Sequence, residues 1–189
     1  MINQGNFIVV LDACVLYKAN IRDLLLRIAK NELYQPKWSN TICEEVRKNL
    51  TISAGVSTEK AQRLIDIINK AFPEALTANY KDLELLNPVE INEKDRHVLS
   101  TAIISNSQVI VTDNIKDFPN NILEKYNLEA QSSDIFLQNL LDLSPEGVVA
   151  SYLEMENSLK NPPIPRNKIL EGLIKQVPVF TDQLKEFLN

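Results

Sequence analysis

Phe7-Ile8-Val9-Val10-Leu11-Asp12 decides how the rest of the chain is read. Five apolar, largely β-branched residues in succession suit a strand covered on both faces, the setting of a central strand in a parallel sheet. The aspartate that follows stands at the strand's carboxyl end, where open parallel sheets take their ligands. Far downstream, Gln108-Val109-Ile110-Val111-Thr112 runs into Asp113-Asn114 and repeats the arrangement.

Helical spacing fills the interval between these runs. Ile21, Leu24, Leu25 and Ile28, widened by Leu26, predict one helix; Ile42, Val46 and Leu50 predict a second. Leu64, Ile65, Ile67 and Ile68 mark a third, and Val98, Leu99, Ala102 and Ile103 a fourth that leads into the strand at 108–112. Strands alternating with helices give an α/β fold, a central parallel sheet flanked by helices. The texture changes after Leu143. Ser144-Pro145-Glu146 reads as a cap with proline at the first helical position, opening a helix to about Leu159. Asn161-Pro162-Pro163-Ile164-Pro165 is expected as a stiff extended spacer, followed by short amphipathic helices near 167–176 and 179–188. The expected organisation is an α/β domain over 1–142 and a small helical C-terminal subdomain over 143–189.

Composition narrows the function classes. With 44% hydrophobic and 24% charged residues in 189, disorder and collagen-like sequence are excluded. No apolar stretch approaches the roughly 20 residues of a membrane helix, and Met1–Asn6 lacks a basic leader, so no membrane is expected as partner. Two cysteines, Cys14 and Cys43, are too few for a disulfide framework; they are read as core thiols in a reducing, cytoplasmic setting. The net charge of −5 argues against gripping nucleic acid by bulk positive field. Cations bound at carboxylates nevertheless let an acidic chain meet phosphodiesters.

The chemistry-bearing residues are acids. Asp12 and Asp113-Asn114, with Asp117 just behind, fall at one sheet edge; Asp95 begins the helix that enters the second strand, and Glu44-Glu45 lies on the helix after the Pro36-Lys37-Trp38-Ser39 turn. Each has a local alternative. Asp12 can turn the chain, Asp95 can favour a helix dipole, and Glu44 can close a capping box with Thr41, although Ser39 or Asn40 equally serves as cap. Asn114 and Asp117 are good turn formers ahead of Pro119. Together, such carboxylates repel unless a divalent cation joins them, and oxygen-only ligands favour Mg²⁺ or Mn²⁺ over Zn²⁺. His97 is read as a packing or hydrogen-bonding residue and Arg96 as solvated. Glycines only at 5, 55, 147 and 172 exclude a Walker A loop, a dinucleotide turn and a hydrolase elbow.

Four stretches resemble the PIN-domain ribonucleases, and among them the VapC-type toxins of bacterial toxin–antitoxin pairs. They are Val10–Tyr17 with Arg22-Asp23-Leu24-Leu25, Trp38–Val46, Asp95–Ala102 and Val111–Pro119. The tail after Ser144 resembles the helical extension of the same branch. The resemblance implies a PIN-like fold and Mg²⁺- or Mn²⁺-dependent hydrolysis of RNA. It carries over Asp12, Glu45, Asp95, Asn114 and Asp117 as the catalytic set, with Asp12, Asp95 and Asp117 as metal ligands. Asp113 competes for the fourth position, because many PIN domains have aspartate where Asn114 stands. It further implies a cognate antitoxin partner, with the apolar helices near 21–28 and 58–70 as docking or homodimer faces after their core role. Lys18, Arg22 and Arg96 become candidates for flanking phosphates. The alternatives are a catalytically inactive PIN module that binds RNA or a protein partner, and a flap-type DNA nuclease.

Overall fold

In the computed structural model, which describes residues 7–84, 88, 90–159 and 162–188, the two apolar runs become adjacent strands. β1 (Ile8–Leu11) and β3 (Val109–Val111) pair in parallel, Val9 opposite Val109 and Leu11 opposite Val111, almost every side chain buried. β2 (Gln35–Lys37) flanks β1 and β4 (Glu129–Gln131) flanks β3, giving a four-stranded parallel sheet of order β2-β1-β3-β4. The order reverses direction between β1 and β3, the point at which an open sheet leaves a crevice at its carboxyl edge.

Both edge strands escape the sequence patterns. Gln35-Pro36-Lys37 falls partly within a segment expected as a turn, yet it pairs with β1. An edge strand bonds on one side only, so it accepts a proline that a central strand would reject. Glu129-Ala130-Gln131 has no apolar run because it too has one neighbour.

The helices form where the spacing places them. α1 (Ala13–Leu16) is a single turn after Asp12; α2 (Ala19–Lys30) buries Ile21, Leu24, Leu25 and Ile28. α3 (Asn40–Ile52) buries Ile42, Val46 and Leu50. α4 (Thr58–Ala71) buries Ala61, Ile65 and Ile68, but Ile67 is 53% exposed, so the four apolar positions that marked this helix are not all core. After α5 (Lys81–Glu84), α6 (Arg96–Ile104) packs on β1 and β3. Trp38 is fully buried, its Nε1 donating to Asn69 Oδ1 at 2.8 Å and its ring edge-on to Phe72. That anchors the chain between β2 and α3.

α7 (Asn120–Leu123) precedes β4, and α8 (Ser133–Leu143) follows it. α8 is absent from the sequence expectations, although Phe136, Leu137, Leu140 and Leu141 bury at helical spacing. The expected division at 142/143 lies within the last turn of α8, just ahead of its junction with α9 (Pro145–Ser158), where Ser144 ends one helix and begins the next. α9 packs along α2, with Asn31 Nδ2 donating to Ser151 Oγ at 2.9 Å and Arg27 Nη2 to Ser158 Oγ at 3.0 Å. The proline segment does not simply extend: Ile164 N donates back to Leu159 O, and Arg166 reaches Glu156 with two bonds of 2.8 Å; Asn161 lies outside the described residues. α10 (Arg166–Ile174) and α11 (Pro178–Phe187) close the chain, Asp134 of α8 accepting from Val179 N and Phe180 N at the start of α11. Gly172 allows α10 to approach α2 closely, since a Cβ there would stand 2.7 Å from Asn20 Nδ2.

Candidate active site

The sheet's hydrogen bonding continues past the strands and sets the edge. Asp12 N donates to Val111 O at 3.0 Å, and Thr112 N to Gln131 O at 2.9 Å. Asp12 is 6% exposed and caps α1, its Oδ1 accepting from Ala13 N at 2.6 Å. Its Oδ2 accepts from Thr112 Oγ1 at 2.6 Å and from Cys14 Sγ at 3.0 Å. Cys14 is therefore no plain core thiol. It is half-buried, bonds Asp12 and takes a bond from Asp113 N, and burial together with the charge of Asp12 pushes its thiol up to about 12. A protonated thiol and a threonine hydroxyl thus fix the first aspartate. Cys43 is buried, as expected.

Glu45 arrives on α3. Ser39 is the cap, its Oγ accepting from Ile42 N at 3.3 Å, while Thr41 bonds Tyr80 OH; the Thr41–Glu44 capping box does not form. Glu44 instead pairs with Arg47 at the surface. Glu45 turns inward, its Oε2 3.3 Å from Nε2 of the buried His97. His97 is buried, in keeping with its reading as a packing or hydrogen-bonding residue, but its nearness to Glu45 was not foreseen, although His97 lies two residues beyond Asp95 at the start of the same helix.

Asp95 is the N-cap residue of α6 by position, yet its carboxylate makes no capping bond. It stays in the site, where its pKa rises to about 6 through burial, then through the charges of Asp117 and Asp12, and last that of Glu45, with His97 opposing. Acids from four separate stretches of chain therefore act on one another. Asp117 is half-buried at the end of a 3₁₀ turn (Ile115–Asp117). Asn114 is exposed at the head of that turn, its N–H donating to Thr112 Oγ1 at 3.1 Å and its carbonyl accepting from Asp117 N.

Asp113 is committed elsewhere. Lys18 Nζ reaches its Oδ2 at 2.6 Å, while Ser133 N and Oγ bond its Oδ1 at 2.9 and 2.8 Å. Burial opposes ionisation, but these bonds prevail and hold the Asp113 carboxyl below its usual range. Arg22 is mostly buried, its Nη1 donating to Leu16 O at 2.8 Å and Tyr17 O at 3.2 Å. Arg96 is half-buried rather than solvated, its Nε on Ile91 O.

The donor set suits a hard cation: carboxylates and an amide oxygen, with mutual repulsion left unanswered at Asp95. Among the described residues, no three His, Cys, Asp or Glu side chains already stand as a ready ligand cluster.

Comparison with known proteins agrees with this arrangement. Residues 8–116 match the PIN domain family, and residues 133–186 match the VapC50 C-terminal domain. A relative from Mycobacterium tuberculosis (strain ATCC 25618 / H37Rv), named "Putative ribonuclease VapC50", is 38% identical over 106 residues. That alignment covers 56% of this chain and 62% of the relative, less than two thirds of its length.

Proposed function

Since this chain belongs to the PIN-domain family, we propose that it is a Mg²⁺- or Mn²⁺-dependent endoribonuclease, the toxin of a toxin–antitoxin pair acting in the cytoplasm. The observation that carries the reading is the convergence at one sheet edge: Asp12 is bonded to Thr112, five residues before Asp117, and Glu45 lies 3.3 Å from His97 on the helix that Asp95 begins. In this reading Asp12, Asp95 and Asp117 hold the cation, with Asn114 able to add an amide oxygen. Asp113 drops out because Lys18 and Ser133 occupy it.

When bound, the cation lowers the pKa of a water and neutralises charge on the phosphate. The chain's own groups do the rest. Thr112 and Cys14 hold the Asp12 carboxylate in one orientation. Glu45, with His97 Nε2 3.3 Å from its carboxylate, orients the attacking water or accepts its proton. In-line attack leaves a 5′-phosphate on one fragment and a 3′-hydroxyl on the other. Retention of Asp12, Glu45 and Asp95 weighs against an inactive binding module.

The antitoxin is assigned to the groove between α2, α4 and α9. Leu26, Leu64, Ile67 and Met155 line it and Arg27 and Lys30 border it, in a cavity of about 680 Å³. A homodimer would compete for the same apolar positions. Among the described residues no helix is long and apolar enough to cross a membrane. We keep 1–142 as the nuclease unit and 143–189 as its helical appendage. The test is incubation of purified protein with structured RNA and Mg²⁺ or Mn²⁺, followed by sequencing of the ends. New 5′-phosphate ends are expected, absent with chelator and with Asp12→Asn. Cleavage that persists in Asp12→Asn refutes the assignment.

A further inference from the structure

A cavity of about 570 Å³ opens beside the acidic edge, between the start of α2, the end of α3 and the start of α4. Its size lies in the range of small-ligand sites, roughly 300–1,000 Å³. In a chain of net charge −5 its lining is unusual: Lys18, Arg22 and Lys60 contribute, and no carboxylate does. Lys18 is paired with Asp113, which ties the cavity to the catalytic edge, because Thr112 next in sequence bonds Asp12.

The other two cations are held in no close ion pair. Among the described residues no carboxylate lies within ion-pair distance of Arg22 or Lys60. The adjacent Asp23 is taken by Arg27 at 3.1 Å. Arg22 is fixed by two backbone carbonyls, so its charge is oriented before any ligand arrives. Its nearest countercharge is Asp23, which Arg27 already shares, so a half-buried guanidinium is left incompletely neutralised and an incoming phosphate would answer it.

A second observation comes from the other end of the chain. Gln176, in the turn between α10 and α11, also lines the cavity, brought there by the close approach at Gly172. Its Oε1 is covered and has no hydrogen-bond partner, and no bond among the described residues holds its amide. An uncommitted amide beside an aromatic ring, Tyr17, and two cations is the equipment of a nucleotide site: charge for the phosphate, ring for stacking, amide for a base edge.

We propose that this cavity holds a nucleotide of the RNA strand next to the cleaved bond, its phosphate on Arg22 and Lys60 and its base between Tyr17 and Gln176. The inference rests on the nuclease reading and gives the C-terminal helices a part in substrate choice.

Binding is measured in the non-cleaving Asp12→Asn chain with short single-stranded oligoribonucleotides of each base, by fluorescence anisotropy across a salt series. Adding Lys60→Glu is expected to weaken binding roughly tenfold and to lower the salt slope by about 0.7–1, one phosphate contact. Adding Gln176→Ala is expected to level the preference among bases. In the otherwise native chain the same changes raise KM and leave kcat within about twofold. Lys60 is exposed and Gln176 half-buried, and melting curves verify folding of both variants. Unchanged affinity, salt slope and base preference overturn the cavity assignment while cleavage by the native chain upholds the nuclease reading. Lysine-dependent binding without any cleavage does the reverse. RNA binding unaffected by variants that lose a protein partner gives the cavity to that partner and overturns the proposal.

Discussion

Asp95→Asn offers the sharpest test of the crowded edge, because it gives opposite signs for stability and activity. The Asp95 carboxyl sits at about 6 instead of 3.8, through burial first and the neighbouring acids second. Undiscounted, that rise corresponds to about 3 kcal/mol against the charged form; solvent at this half-buried position reduces the effect on stability to about 1 kcal/mol. The folded chain holds this proton more tightly than the unfolded chain does. The metal-free protein therefore loses stability as pH rises from about 4 through about 6, and gains nothing back above it. In chelator at pH 7.5, Asp95→Asn is expected to be more stable by about 1 kcal/mol, or about 2–4 °C in Tm for a chain of this size. At pH 4 the two chains should melt together. Adding Mg²⁺ or Mn²⁺ at a hundredfold excess over Kd stabilises the parent by about 2.7 kcal/mol at pH 7.5, far less at pH 5, and the variant least. The assay is thermal melting followed by circular dichroism, beside an RNA-cleavage assay in which the variant is inactive. A variant no more stable than its parent in chelator at pH 7.5, yet stabilised equally by the cation, refutes the reasoning.

Other perturbations probe the supports of the site. Asp12→Asn should abolish cleavage and cost about 1–2 kcal/mol in urea titrations, since an amide has one acceptor oxygen and cannot keep both the Ala13 N–H bond on one side and the Thr112 and Cys14 bonds on the other. Asp113→Ala removes the Lys18 pair and the two Ser133 bonds, for about 1–2 kcal/mol at pH 7. Its carboxyl is held low in the folded state, so this difference should be full above about pH 4 and shrink as pH falls below it, which paired melts check. Ser39→Ala uncaps α3 at a cost of about 1 kcal/mol and should reduce kcat more than affinity for RNA, because Glu45 rides on that helix.

How far the sequence could be read depended on how each element is buried. β1 and β3 are covered on both faces and announce themselves as unbroken apolar runs; β2 and β4 have one neighbour each and lack that mark. The helices at α2, α3, α6 and α9 carry regular spacing, whereas α8 has the same spacing and lay in a region where no motif drew attention to it. Among the site residues, the placing of Asp12 and the pair Asp113-Asn114 followed from strand ends alone. That Glu45 and not Glu44 faces inward came from family resemblance, and the structure supplies its local cause, the Glu44–Arg47 pair. The commitment of Asp113 to Lys18 and Ser133 was illegible, since it depends on partners far before and after it in the chain. The same holds for the Cys14 thiol, whose neighbours suggested only a core position.

The pairing of β1 with β3 also bears on how such a protein emerges from the ribosome. Asp12 is made well ahead of Asp95 and Asp117, which follow only after most of the nuclease unit, and Ser133, which fastens Asp113, comes later still. During most of its synthesis the nascent polypeptide carries isolated acids and no assembled centre. If the proposed activity holds, such a chain would in this way stay harmless to the machine translating it until the stretch that carries Asp117 has been added.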